Sequence, residues 1–290
     1  MFTPYVWGEE NMNVFEVVDI DESMLNGKLY NGSEKKFGVT IDGVDYIMKF
    51  QKKNWHNIYC EYVASNVITL LGGNAHETYL GTYKGEVVVL CRDFLQDSKE
   101  YLFQSLRSVS SSLFDTDKNS YDYYFEDVLH LFEKLKYCNV DNCKDSFCEM
   151  FMYDALLGNT DRHPGNWGLI CSGDTWRFSP IFDNGADLFP RASLADITED
   201  WMRERVYVWP NSKVMFNRTR ERASYFKVLQ ENSMLQSYKN IIKDDLIDLA
   251  FVFIDNAPIP KDLKSLYRTV LYYRYHCVIK GEKFVWEGIK

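Results

Sequence analysis

The chain has 290 residues, of which 46% are hydrophobic and 26% charged, the balance of a folded protein long enough for one large domain or two modest lobes. Lys and Arg total 33 against 42 Asp and Glu, giving a net charge of −9, which argues against a sequence-blind nucleic-acid binder with a basic face. Apolar runs such as Val87-Val88-Val89-Leu90-Cys91 are strand-sized and fall short of the ~20 residues of a membrane-spanning helix. The N-terminus shows no basic patch followed by an apolar run, so a soluble chain without a cleaved secretory signal is expected.

In chain order, the first hundred residues read mainly as strands. Val14 to Ile20 is β-rich, and Lys36 to Ile41 and Val44 to Phe50 flank Asp42-Gly43, a strong hairpin signal. Thr78 to Tyr83 and Glu86 to Arg92 flank Lys84-Gly85 in the same way. Between the hairpins, Asn57 to Leu71 carries Ile58, Tyr62, Ile68 and Leu71 at helical spacing, and Gly72-Gly73 ends it. Helical patterns then cover Lys99 to Ser108, Tyr121 to Lys136 and Lys144 to Leu157, the last closed by Gly158. A short hairpin is expected from Trp167 to Cys171 and Thr175 to Ser179. Helices are expected at Arg218 to Leu229, Ile241 to Ile254 and Lys261 to Tyr273. This order predicts an α+β, two-lobed architecture, with a β-rich N-lobe over residues 1–97 and a helical C-lobe over 98–290.

The seven cysteines include no pair two residues apart, so the usual zinc spacing is missing and free thiols in a reducing compartment are expected. No Gly-x-Ser-x-Gly elbow and no His-Glu-x-x-His pair occurs either, which removes the commonest hydrolase readings.

One region concentrates chemistry. Asp161 and Asn166 stand five residues apart in Asn159-Thr160-Asp161-Arg162-His163-Pro164-Gly165-Asn166-Trp167, and Asp183 follows the hairpin in Pro180-Ile181-Phe182-Asp183-Asn184-Gly185. Each run alone could be a polar turn, since Asp, Asn, Gly and Pro are what turns use. Together, and in this order, they match the plan of kinase-fold phosphotransferases. There the first Asp receives the acceptor hydroxyl's proton, and the Asn and second Asp hold Mg²⁺ on ATP, with Mn²⁺ as a substitute. Lys49, at the end of a strand, is the candidate grip on the α- and β-phosphates. Glu61, in the following helix, is the candidate partner that fixes it. Alone, these two would read as a solvent lysine and a helix-surface glutamate. The run Asn26-Gly27-Lys28-Leu29-Tyr30-Asn31-Gly32-Ser33 is either a surface loop or a phosphate lid. It is not a P-loop, which needs Lys and then Ser or Thr after its second Gly. His163 either hydrogen-bonds within its own loop or touches a phosphate.

The runs Gly158 to Asn166 and Pro180 to Gly185 resemble the HipA-like kinases, and more distantly the phosphatidylinositol 3- and 4-kinases with their Asp-Arg-His-x-x-Asn loop. Gly81-Thr82-Tyr83-Lys84, Asn166-Trp167-Gly168 and Asp255-Asn256-Ala257-Pro258 extend the likeness over most of the chain. They bring it nearest to the small stand-alone, cell-translocating group within that family. The resemblance implies a bacterial, cytoplasmic serine/threonine kinase that also phosphorylates itself, and it admits signal-independent export to a host cell. It places Gly32 and Ser33 in the nucleotide loop, near the family's regulatory serine, and Arg92, Asp93 and Phe94 in the adenine-side hinge. The expected partner is a protein substrate of unknown identity. The extra N-terminal domain of full HipA toxins is expected to be lacking, so an antitoxin partner stays open but is not indicated. Two alternatives keep the fold: a lipid or small-molecule kinase, and a nucleotide-binding pseudokinase scaffold.

Overall fold

The computed structural model describes residues 13–30, 34–96, 100–114, 123–135, 138–219 and 221–290. Strand β1 (Val17–Ile20) runs parallel to β4 (Thr78–Tyr83), and β2 (Lys36–Ile41), β3 (Val44–Phe50) and β5 (Glu86–Arg92) complete a five-stranded sheet in the order β1-β4-β5-β3-β2. The β2–β3 and β4–β5 hairpins turn at Asp42-Gly43 and Lys84-Gly85, where all four residues take the left-handed backbone that such turns demand. Register sets Lys49 opposite Lys36 on one side and Val89 on the other, well inside the sheet.

Helix α1 (Asn57–Leu70) lies against β4 and β5 on one face and against α8 (Asp244–Asn256) on another. Sandwiched in this way, it buries Ile58, Tyr62, Val63 and Val67 together with the polar Glu61, Ser65 and Asn66. A helix with buried polar groups must satisfy them internally. Asn66 does so through the Tyr62 carbonyl at 2.9 Å and Thr78.

After residue 100, strand β6 (Leu102–Ser105) pairs with β7 (Gly168–Ser172), which pairs in turn with β8 (Thr175–Phe178). Helices α2 (Leu106–Phe114), α3 (Phe125–Lys134), α4 (Val140–Leu157), α5 (Glu199–Tyr207), α6 (Tyr225–Glu231), α7 (Ser233–Ser237) and α9 (Lys261–Arg274) make up most of the rest, with a π-helical turn at Tyr275–Ile279. Helix α4 is the spine. Asn139 caps its start by accepting from the Asn142 amide, and its second half is buried from Phe147 to Leu157 apart from Glu149. No helix among the described residues is long and apolar enough to cross a membrane.

Three expectations need correction. Residues 99–108 are not one helix: Leu102–Ser105 is a strand, because pairing with β7 outweighs a weak helical pattern, and helix begins only at Leu106. The helix expected from Arg218 starts at Tyr225, because Asn217 and Arg218 have φ of 54° and 55°, which no right-handed helix accommodates. Cys138, just before α4, is joined to Cys143 in its first turn, while Cys60, Cys91, Cys148, Cys171 and Cys277 are free.

Candidate active site

The segment from Gly158 to Trp167 is a loop clamped at both ends. Gly158 ends α4 at φ 73°, a conformation open to glycine at little cost, and both its amide and that of Asn159 donate to the Asp154 carbonyl at 2.9 and 3.0 Å. At the far end Trp167 is fully buried and stacks on Phe147 and Phe178, with ring centroids 5.0 and 5.2 Å away. An indole buried to this extent contributes on the order of 4–6 kcal/mol of transfer free energy. The polar residues between these anchors are held in place by hydrogen bonds. Asn159 Oδ1 accepts from the Asp161 amide at 2.7 Å, and Asn166 Nδ2 donates to the Asp161 carbonyl at 3.0 Å. His163 accepts from the Gly165 amide at 3.0 Å, which accounts for its ring within the loop itself.

Lys49 Nζ donates to Glu61 Oε2 at 2.9 Å and to Asp183 Oδ1 at 3.0 Å. These residues come from β3, from α1 and from the segment after β8, so folding gathers three distant points of the chain around one amine. Burial alone would lower the pKa of Lys49, but the charges of Asp183 and Glu61 more than reverse this and hold it well above its ordinary value. The same lysine keeps the Asp183 carboxyl below the usual carboxylate range. Burial pushes the Glu61 carboxyl up, yet Lys49 and His76 outweigh it and leave Glu61 ionised.

Glu61 does more than fix Lys49. Its two oxygens also accept from the amides of Asn184 and Gly185 at 2.9 and 3.0 Å, and His76 Nε2 lies 3.0 Å from Oε1. Gly185 is needed for this closeness, since a Cβ there would stand 3.1 Å from the Glu61 carboxylate and 3.3 Å from the Asn57 carbonyl. Asp183 itself sits at φ 61°, left-handed for a non-glycine residue, a strain of ~1–3 kcal/mol that tends to be held at functional positions.

Arg162 connects the two motifs. It is buried, forms three bonds of 3.0–3.1 Å to the Asp154 carboxylate, and donates from one terminal nitrogen to the Asn166 carbonyl at 3.1 Å and the Phe182 carbonyl at 2.5 Å. Its other terminal nitrogen reaches Asn184 Oδ1 at 2.6 Å. A single guanidinium thus holds the backbone beside Asn166 to the backbone beside Asp183. Sequence reasoning assigned Arg162 no task. The signal was present, since an Arg next to a candidate base has five donors to satisfy once buried.

The remaining predicted residues fall as follows. The Arg92 guanidinium is engaged with Glu77 at 2.7 Å, at the start of β4 and away from Lys49. The Asp93 amide donates to the Asp45 carbonyl at 2.9 Å, and its carboxylate accepts from Tyr30 Oη at 3.0 Å, tying the loop before β2 to the end of β5. Phe94 meets Phe103 and Phe182 in a trio with centroids 5.4–5.9 Å apart, joining the end of β5, β6 and the segment before Asp183. Gly32 and Ser33 lie outside the described residues. Asp161 is half-exposed and faces Lys213 Nζ at 3.3 Å, a lysine that no sequence pattern singled out.

These residues fit a hard cation. Asp183 is ionised and about a third exposed, with Lys49 on one oxygen only. Asn166 uses its amide nitrogen within the loop, which leaves Oδ1 without a hydrogen bond among the described residues. A second cluster, Glu61, His76 and Cys91, has its ligand atoms within 4.8 Å of one another, but the Lys49 ammonium already neutralises Glu61 and burial keeps the Cys91 thiol protonated.

Residues 29–244 match the profile of the HipA-like C-terminal domain. The chain belongs to the HipA-like family. Its sequence is also 30% identical, over a 230-residue alignment, to the serine/threonine-protein kinase CtkA of Helicobacter pylori, covering 73% of this chain and 68% of that relative. The crystal structure of the proinflammatory kinase CtkA from Helicobacter pylori superposes with a TM-score of 0.82 at 27% identity, over 91% of this chain and 96% of that one. HipA from the Shewanella oneidensis toxin–antitoxin complex shares the fold, with a TM-score of 0.52 at 12% identity over 90% of this chain and 68% of its own. The two-lobed, kinase-like α+β fold expected from the sequence is therefore the observed one, and the HipA-like family makes the chain a phosphotransferase of the kinase type.

Proposed function

We propose that this HipA-like chain is an ATP- and Mg²⁺-dependent serine/threonine protein kinase that also phosphorylates itself. The observation that carries this reading is the Lys49–Glu61–Asp183 cluster, joined through Arg162 to the loop bearing Asp161 and Asn166. The choice of a protein hydroxyl as acceptor rests on the likeness to the Helicobacter pylori kinase.

In this reading Lys49 would grip the α- and β-phosphates, and Asn166 Oδ1 and Asp183 would hold the metal, whose charge would offset that developing on the γ-phosphoryl group. Asp93 and Phe94 border the adenine side. The packed rings of Phe94, Phe103 and Phe182 would supply apolar surface to the base. Asp161 orients the acceptor hydroxyl and takes its proton, and its half-exposed position suits a group that must meet a second macromolecule. The protein's contribution is chiefly placement and fixed charge. Glu61 supports both by holding the lysine and the Asn184-Gly185 turn at once.

The test is transfer of ³²P from labelled ATP, followed by mapping of the phosphorylated residues. Asp161→Ala and Asp183→Ala should each abolish labelling while circular dichroism stays that of the parent. Labelling that persists in both variants would defeat the assignment. Label found only on lipid or small molecules would move the acceptor class.

A further inference from the structure

A cavity of about 450 Å³ opens beside the loop that carries Asp161 and is not absorbed by the nucleotide side of the site. Thr160, the residue before Asp161, forms part of its wall. The rest is aromatic and cationic. Phe189 packs against Trp201 and Trp209 with centroids 5.5 and 5.4 Å away, and Trp55 contributes from the segment before α1. Arg191 lies 4.2 Å over the Trp55 ring, and Arg205 lies 4.5 Å over Trp201.

The walls are preformed. The Leu188 amide donates to the Leu157 carbonyl at 2.9 Å, and the His56 amide donates to the Pro190 carbonyl at 2.9 Å. Thr160 Oγ1 donates to the Ala186 carbonyl at 3.2 Å, so the cavity is fixed to the same loop that fixes Asp161.

Its charges are unevenly satisfied. Asp196, the one acid in the wall, accepts from the Ser193 amide and hydroxyl at 2.6 and 2.8 Å. Among the described residues the Arg191 guanidinium has no ion pair, and its stacking on Trp55 leaves its edge donors unused. Arg205 pairs with Glu204, but its Nε is buried without a hydrogen-bond partner. Lys213 adds a further cation at Asp161 itself. Arg205 and Lys213 are thus paired, with Glu204 and Asp161, and Arg191 is the cation of this face left without an ion pair among the described residues.

We propose that the cavity is the acceptor subsite: it seats an aromatic or large aliphatic side chain of the polypeptide being phosphorylated, and Arg191 meets a carboxylate next to that side chain. The proposal rests on the kinase reading above.

The experiment is a peptide library with a fixed central Ser or Thr, phosphorylated by the full chain with Mg-ATP. Selection for Phe, Tyr, Trp or Leu, with Asp or Glu adjacent, is expected. Arg191→Glu, at an exposed position, should switch the acidic preference to Lys or Arg. Trp209→Ala should raise KM for the selected peptide about tenfold, with nucleotide Kd unchanged by titration. Flat selection by a wild-type chain that still labels itself overturns the subsite and leaves the kinase reading standing, as does an acidic preference that survives Arg191→Glu. Slower self-labelling in Arg191→Glu without peptide selection would give the cavity to a segment of the chain itself and overturn the proposal. A wild-type chain that binds Mg-ATP but labels neither peptide nor itself sinks the kinase reading, and the subsite with it.

Discussion

Replacing Arg162 by Met is the most searching perturbation of this site. The substitution keeps most of the side-chain volume and removes every polar contact. Asp154 then sits almost fully buried with no partner for its carboxylate among the described residues, since its three side-chain bonds there all come from Arg162. Breaking a buried ion pair from one side costs about 3–5 kcal/mol, because the surviving charge stays desolvated. The orphaned Asn166 and Phe182 carbonyls act in the same direction. At ~2–4 °C per kcal/mol for a chain of this size, Tm should fall by roughly 10–15 °C. Burial already pushes the Asp154 carboxyl above its ordinary value, and without Arg162 nothing opposes that push. Asp154→Asn in the Arg162→Met background should therefore restore about 2 kcal/mol by removing the charge. Phosphotransfer should not recover with it. The double variant still lacks the nitrogen that joins the Asn166 backbone to the Phe182 backbone, and a displacement of the metal-side groups by ~1 Å lowers turnover about a hundredfold. The assays are thermal melts of the three proteins and single-turnover ³²P transfer below the melt. A single variant that melts within about 2 °C of the parent, well short of the predicted fall, or a double variant with parental turnover, would refute the argument.

Asp183→Asn should keep the fold, since Lys49 retains Glu61 at 2.9 Å, but lose Mg²⁺-dependent nucleotide binding, read by calorimetry with and without EDTA. Lys213→Ala removes the cation 3.3 Å from a half-exposed Asp161, so stability should change by under ~1 kcal/mol while transfer to protein slows several-fold at unchanged ATP KM. Asp187 is fully buried with neither oxygen in a hydrogen bond of ordinary geometry among the described residues, and burial, then the charge of Asp154, pushes its carboxyl well above 3.8. Its folded form holds a proton that the unfolded chain releases at lower pH, so this group's contribution shrinks as pH rises above 3.8. Glu61 and Asp183 are lowered instead, so theirs is fully present above about pH 5 and is lost only in acid. Tm measured from about pH 5 to 8.5, a window above the unfolded carboxylate range, should therefore decline more steeply for the parent than for Asp187→Asn, and parallel curves would contradict this.

The legible parts of the sequence were those with local rules. Two hairpins with Gly in their turns, an apolar period over α1, and a glycine after α4 each declare themselves within a few residues. The paired motifs around β7 and β8 did so because their order is as informative as their residues. What the sequence hid depends on partners far along the chain. Glu61 reads as a surface residue until Lys49, His76 and the Asn184-Gly185 amides close around it. Arg162 reads as one more charge in a polar turn until Asp154, Asn184 and two carbonyls surround it. Phe182 and Phe103 become neighbours only when β6 pairs with β7. One failure of element assignment has the same origin: β6 is a strand because β7 is there to receive it, and nothing in residues 102–105 alone requires one.

Lys49 is one positive charge set between two ionised carboxylates, so this trio carries a net negative unit at the centre of the cleft. A bare polyphosphate approaching it meets two carboxylates, offset in part by Lys36 across the β2–β3 pair, and the ammonium can turn toward the newcomer only by loosening its hold on a carboxylate. A polyphosphate arriving with its own divalent ion brings the counter-charge that Asp183 then needs. The cleft should thus discriminate between the two forms at the moment of entry, admitting the salt and turning away the free acid.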